Sequence, residues 1–284
     1  MFGWRLVSTV ILISLVVWLA WMRYSSGLFV LSSLLCLVGQ WEYYQMQENK
    51  GLKVFKKAGA FCGLVFLCVA YIDLLGVNAD SRYSDALETL AILGAVIGIL
   101  TRTVFEHPRA TPVGTVALTL FGFFYVPFLF QFLLKILFGM ERMHQDGIML
   151  GLYLVAVTKF TDIGAYVTGS MFGRHKMSPH ISPKKTWEGF FGGLLVALLT
   201  SLMLVRCFPE KLAIISGWHA VVLGLLLPVT SVVGDLAESV IKRDAQSKNS
   251  GVLIPGIGGS LDLIDSLLFT GPLFYSYLTF IIFS

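Results

Sequence analysis

GDLAESVIKRDAQSKNSGVLIPGIGGSLDLIDS (residues 234–266) joins two apolar runs, 212–241 and 261–283. Each has at least the roughly 20 residues that a bilayer-crossing helix needs. Charge at the edge of such runs is expensive unless it has a use. Asp235 and Glu238 are three apart, as are Asp262 and Asp265, so on helices each pair projects from one face. Between the pairs, glycines at 251, 256, 258 and 259 let a ligand come close to the backbone. Carboxylates for a hard cation such as Mg²⁺, and Lys242 and Arg243 for phosphate oxygens, fit a metal-assisted phosphate site. Helix caps beside a positively charged membrane edge explain part of the pattern, but four acids exceed what capping requires.

Outward from this stretch, composition settles the solvent. The chain is 56% hydrophobic and only 13% charged, with a mean hydropathy of +0.78, where soluble domains carry about 25% charged residues. It reads as an all-α polytopic integral membrane protein. Apolar runs at 6–22, 27–44, 58–77, 87–104, 113–138, 147–172, 189–207, 212–241 and 261–283 predict about nine transmembrane helices. The run at 113–138 is long and contains Pro127, so a kinked span, a tilted span and a helix plus re-entrant piece are all open. The first run lacks a signal-peptide cleavage pattern and is expected to stay as a helix. One integral membrane domain, 1–284, is the result, with amino-terminal helices over 1–146 and the chemistry in the helices and loops of 147–284.

Loop charge orients the chain. Arg5, Lys50, Lys53, Lys56, Lys57, Arg102, Arg109, Arg174, Lys176, Lys184, Lys185, Lys242, Arg243 and Lys248 share one side of a nine-span arrangement, while Arg23, Arg82, Arg142, Arg206 and Lys211 lie on the other. The richer side is expected to be cytoplasmic. No long basic run points to nucleic acid, and the net charge of +4 reflects topology and an anion site. Cys36, Cys62, Cys68 and Cys207 have no paired or metal-ligand spacing and read as small membrane-facing or packing residues. Asp73 reads as an interfacial residue or a cap, and the scattered His107, His144, His175, His180 and His219 as interfacial or packing residues.

The second polar connection, GRHKMSPHISPKKTWEG (173–189), is stiffened by Pro179 and Pro183 and rich in Lys184, Lys185 and other basic residues. A polyanion clamp that includes Ser182 and a simple positive-inside anchor are both consistent with it. Lys159 and Asp162 lie three apart inside an apolar run, either as an internal ion pair or with Asp162 lining a cavity shared with Asp235. No glycine-rich loop ends in Gly-Lys-Ser or Gly-Lys-Thr, so P-loop nucleotide binding is unsupported.

These residues resemble the phosphatidate cytidylyltransferases, or CDP-diacylglycerol synthases. The family signature is matched at Ser239, Ile241, Lys242, Arg243, Lys248, Gly251, Ile254, Pro255, Gly258, Gly259, Asp262 and Asp265, with unbroken spacing, and the segment from Asp162 through the 173–189 loop looks like a second family block. Asn249, Ile257, Ser260 and Leu263 stand where the family usually has Asp, His, an aliphatic residue and Arg. The resemblance implies transfer of the cytidylyl group of CTP to phosphatidic acid, giving CDP-diacylglycerol and pyrophosphate. It implies Mg²⁺ on Asp235, Asp262 and Asp265, a second cation being left open, and catalytic roles for Lys242, Arg243 and Lys248. Substrate contacts are expected at Asp162, Ser182, Lys184, Lys185, Ser239, Gly258 and Gly259. CTP, phosphatidic acid and the bilayer are the expected partners, a homodimer is one open assembly, and a bacterial inner membrane with a cytoplasmic active site is the expected location. A CTP-dependent polyprenol kinase, an archaeol-type cytidylyltransferase and a secondary transporter are the competing readings.

Overall fold

The structure, a computed structural model, describes residues 14–16, 18–74, 81–106, 111–140, 144–247, 250, 251 and 258–283, the side chains of 81–85 excepted. Its helices are α1 (Ser25–Asn49), α2 (Lys56–Leu74), α3 (Ser81–Glu106), α4 (Pro112–Gly139), α5 (Gly147–Phe172), α6 (Trp187–Cys207), α7 (Gly217–Asp244) and α8 (Ser260–Tyr277), the last continued by a π turn, Leu278–Ile282. Of the run expected at 6–22, only 14–16 and 18–22 are described, helical over 14–16 and 18–21. Among the described residues six helices are long and apolar enough to cross a membrane: α2, residues 86–106 of α3, α4, α5, α6 and α7. The chain is therefore an all-α membrane protein, although these six do not by themselves establish a count of nine. Helices α1 and α8 occupy expected span positions and are outside the six; α1 ends in the polar run QWEYYQMQEN, and α8 carries Asp262 and Asp265.

The long run containing Pro127 is one helix. Its π turns, Phe124–Phe128 and Lys135–Gly139, interrupt α-helical stretches at Pro112–Phe123 and Leu129–Leu134. Pro127 has no N–H to give and crowds the preceding turn, and the wider π turn accommodates both defects.

By packing, the chain forms two compact units, Met1–Leu134 with Asp244–Ile264, and Lys135–Arg243 with Asp265–Ser284. In the first, Tyr44 Oη donates to Thr119 O (2.8 Å), Gln40 Nε2 donates to Tyr44 Oη and Gly59 O (both 3.0 Å), and Phe55 N donates to Thr119 Oγ1 (3.0 Å). These bonds lock α1 to α2 and α4. The Tyr44 ring fits because Gly59 and Gly122 carry no Cβ to collide with it. Tyr43 adds edge and tilted contacts to Tyr44, Phe121 and Tyr125. Asp73, expected as an interfacial residue or a cap, is buried.

In the second unit, α5 and α6 pack along Gly164, Gly189, Gly192 and Gly193, small residues that let the two backbones approach closely. Tyr153 Oη and Ser201 Oγ lie 2.6 Å apart, and Ser201 Oγ also donates to Ala220 O (2.6 Å), joining α5, α6 and α7. Thr158 reaches Thr270 at 3.3 Å and His219 reaches Tyr277 at 2.9 Å, which add α8. The 173–189 connection is not helical, as its prolines imply, and forms an antiparallel hairpin, β1 (Lys176–Ser178) and β2 (Ser182–Thr186).

Candidate active site

Lys185 is the residue around which the second unit's charges gather, and the hairpin base holds it there. Thr186, immediately after it, caps α6 by accepting from Gly189 N (3.2 Å), and Trp187 N donates to His175 O (3.0 Å). The Glu188 carboxylate accepts from Arg174 N (3.1 Å) and His175 N (3.2 Å) and meets His175 Nδ1 at 2.6 Å. Glu188 is thus the clasp of the hairpin. With β2 pinned at this end, Lys185 Nζ reaches Asp235 Oδ2 at 2.9 Å and donates to Val232 O at 3.4 Å.

Asp235 meets a second carboxyl because α7 and α8 touch at Gly234. A Cβ there would stand 2.9 Å from Asp265 O and 3.3 Å from Ser266 Cα. The Asp235 and Asp265 carboxyls are within hydrogen-bonding reach of each other. Ser266 lies between them: its Oγ is within donating distance of Asp235 Oδ1 (3.4 Å) and Asp265 Oδ1 (3.2 Å), its one proton serving either, while its N–H donates to Asp265 Oδ1 (2.6 Å). Asp265 is only 4% exposed. One turn along α7, buried Glu238 pairs with Lys242 and adds to the negative field on Asp265. Lys159 pairs with Asp162 at 3.4 Å on α5, and both act electrostatically on Asp235 or are acted on by it. The internal ion pair is thus present, with Asp235 in electrostatic range of it. Counted as ionised, Asp162, Asp235, Glu238 and Asp265 exceed Lys159, Lys185 and Lys242 by one negative charge, a balance suited to a cation.

Other expected residues fall elsewhere. Arg243, in the last turn of α7, donates from Nε to Ile181 O (3.3 Å) and so ties that helix end to the hairpin turn. Lys184 is exposed, Ser182 lies on β2 and Ser239 half-buried on α7. Asp262 belongs to the first unit, where its Oδ2 accepts from Gly259 N (2.8 Å) and caps α8, with Gly258 at φ +118° beside it. Lys248, Asn249, Ile254, Pro255 and Ile257 lie outside the described residues. Among the described residues no group of three His, Cys, Asp or Glu side chains has metal-holding geometry.

One charged residue of the first unit escapes sequence reasoning. Glu42, on α1, is buried, and its Oε2 accepts from Leu261 N (3.0 Å) and Ser250 Oγ (3.5 Å). The only local signal is an acid inside the polar end of an apolar run, which looks like a membrane-edge residue.

Residues 3–281 match the profile described as the cytidylyltransferase family. A protein named phosphatidate cytidylyltransferase from Chlamydia muridarum is 32% identical over 281 residues, 96% of this chain and 90% of that protein. One of the same name from Brucella suis biovar 1 is 33% identical over 274 residues, 96% of this chain and 92% of that protein. The uncharacterized protein YnbB of Escherichia coli is 40% identical over 136 residues, 48% and 44% of the two chains. The likeness runs through nearly the whole chain, beyond the segment from Asp162 onward that carries the motifs.

Proposed function

Because the chain belongs to the cytidylyltransferase family, we propose that it is a phosphatidate cytidylyltransferase, converting CTP and phosphatidic acid to CDP-diacylglycerol and pyrophosphate in phospholipid synthesis. The observation that carries the site assignment is the Lys185–Asp235–Asp265 cluster, in which a basic group from the hairpin and carboxyls from α7 and α8 converge. In the reaction, a phosphate oxygen of phosphatidic acid forms a bond to the α-phosphorus of CTP while the bond to the departing pyrophosphate breaks. Both reactants are anions, so the protein's tasks are neutralisation and alignment, and no covalent enzyme intermediate is needed.

Asp235 and Asp265 suit Mg²⁺, which is commonly held by one or two carboxylates and completed by phosphate oxygens and water. Two converging protein carboxyls therefore suffice, and Asp262 is retained as a further ligand on the resemblance alone. The ion would supply charge neutralisation at the phosphate oxygens. Lys185 and Lys242 align phosphate groups from the hairpin and α7, and Arg243 braces the hairpin turn through Ile181. The basic loops support a site open to the cytoplasm of a bacterial inner membrane, where CTP is available and the acyl chains stay in lipid.

Purified protein given CTP, Mg²⁺ and phosphatidic acid is expected to release pyrophosphate and form CDP-diacylglycerol. Release of CDP with a phosphorylated lipid would make it a kinase, and solute flux without CTP turnover a transporter. If the protein is silent while Asn249→Asp, Ile257→His and Leu263→Arg together create activity, the chain is an inactive relative.

A further inference from the structure

We infer that Lys159 is a further substrate-contacting residue of the cytidylyl-transfer site, the one that receives the phosphomonoester headgroup of phosphatidic acid; the inference rests on the cytidylyltransferase reading. Lys159 stands near the midpoint of α5, a helix long and apolar enough to cross a membrane. A lysine is costly there, and one that is kept marks a use. Pairing with Asp162 at 3.4 Å offsets part of the cost. Two apolar side chains would incur none of it, so stability alone is a poor reason for the pair. Nor is the pair sealed. Its side chains remain 35% and 34% accessible, and Tyr166, on the same helix face, is 77% exposed. Charge left open in the middle of a span calls for water or an ionic ligand on its open side.

The fold brings this lysine to the carboxyl cluster. Its neighbour Thr158 reaches Thr270 Oγ1 at 3.3 Å, and Thr270 Oγ1 donates to Ser266 O at 3.0 Å. Helix α5 is thus fastened to α8 one turn beyond Asp265 and Ser266, and Lys159 acts electrostatically on both Asp235 and Asp265. Of the three lysines around these acids it is the most available. Lys185 is held at Asp235 at 2.9 Å and is 22% accessible, and Lys242 is 15% accessible beside buried Glu238. Lys159 has the longest ion pair and the most open side chain of the three. Its place along the helix selects the reactant, since it lies about 4.5 Å farther than Asp162 from the hairpin that carries Lys185. A phosphate nucleophile approaching carboxylates needs a cation of its own, and a lysine in mid-span serves the reactant whose chains stay in lipid.

The test uses full-length purified protein in mixed micelles, with kcat and both KM values measured beside equilibrium binding of dioctanoyl phosphatidic acid without CTP. Lys159→Met keeps the length and removes the charge. KM for phosphatidic acid and the Kd of its short-chain form are expected to rise at least about tenfold, with KM for CTP within about threefold of wild type. Lys159→Arg restores the charge and is expected to bring both lipid values back to within about fivefold of wild type. Dioctanoyl phosphatidylglycerol, a phosphodiester, should bind wild type and Lys159→Met within about threefold of each other. A lysine that serves only as the partner of Asp162 predicts another pattern, in which both KM values move together and binding of the two lipids falls alike. That pattern overturns the inference, as does an unchanged KM for phosphatidic acid in Lys159→Met or a Lys159→Arg variant as impaired as Lys159→Met. If Lys159→Met does not yield monodisperse protein, Lys159→Gln, which keeps a donor for Asp162, carries the same comparison with the same outcomes. A wild-type enzyme that turns over no CTP defeats the cytidylyltransferase reading itself, whereas an active wild type with an indifferent Lys159→Met defeats only this inference.

Discussion

Asp265→Asn should move activity and stability in opposite directions. The side chain is 4% exposed, receives the Ser266 N–H at 2.6 Å and lies within hydrogen-bonding reach of Asp235. Two unit charges about 4 Å apart at an effective dielectric constant of about 20 repel by ~4 kcal/mol. Lys185 already offsets part of that at Asp235, so a net relief of ~1–2 kcal/mol is the reasonable expectation in the absence of divalent cation. Asparagine keeps the volume and the acceptor for Ser266, and its amide can donate to Asp235. The variant should therefore melt a few degrees higher than wild type in detergent with chelator present. Added Mg²⁺ should raise the wild-type midpoint, since a ligand at 100 times its Kd contributes about 2.7 kcal/mol, and should raise that of the variant much less. Turnover of CTP should fall at least about 100-fold, the scale of losing one preorganised electrostatic contact in an active site. Thermal melts with and without Mg²⁺, together with pyrophosphate release, check both halves. Near-wild-type turnover, or an undiminished Mg²⁺ shift, would remove Asp265 from the metal site.

Lys185→Met should lower kcat/KM about 100-fold, whereas Lys184→Gln, next to it but exposed, should cost less than about threefold; pyrophosphate release read for both separates a local role from diffuse basicity. Gly234→Ala forces a methyl group against the Asp265 carbonyl, and about 1–3 kcal/mol of lost stability is expected with a parallel loss of activity, measured by melting and turnover. Cysteines placed singly at 53, 176 and 184 should resist an impermeant thiol reagent in intact cells and react after permeabilisation; labelling of position 176 or 184 from outside would invert the topology.

Apolar run length located the six helices that are long and apolar enough to cross a membrane, because the bilayer makes hydrophobicity a nearly sufficient cause of a span. Helical phase located the pairs within one helix: Lys159 with Asp162, and Glu238 with Lys242, are local consequences of 3.6 residues per turn. The rest was hidden for three separate reasons. Nothing local distinguishes Lys184 from Lys185, and strand alternation within a hairpin puts only the second on Asp235. Glu188 has the Arg174 and His175 backbone N–H groups and the His175 ring as partners, contacts that sequence does not display. Glu42 contacts a residue 219 positions away, and a long-range pairing of that kind leaves no periodic trace. The division of the acids, with Asp262 capping its helix in one unit and Asp265 beside Asp235 in the other, was likewise invisible in a spacing of three.

The π turn at Phe124–Phe128 bears on how this chain tolerates length change. A π turn holds one residue more than the α turn it replaces, while the helical segments before and after keep their phase. Helix α4 can therefore surrender a single residue there without rotating its later turns, whereas the same deletion within the uninterrupted α5 would turn every later side chain of that helix by about 100°. Alignment gaps of one position among related chains should gather at 124–128, and a deletion of Val126 should yield inserted, monodisperse protein where a deletion of Val155 does not. Equal failure of the two deletions would mean that the turn is held by its own contacts rather than serving as slack in the helix.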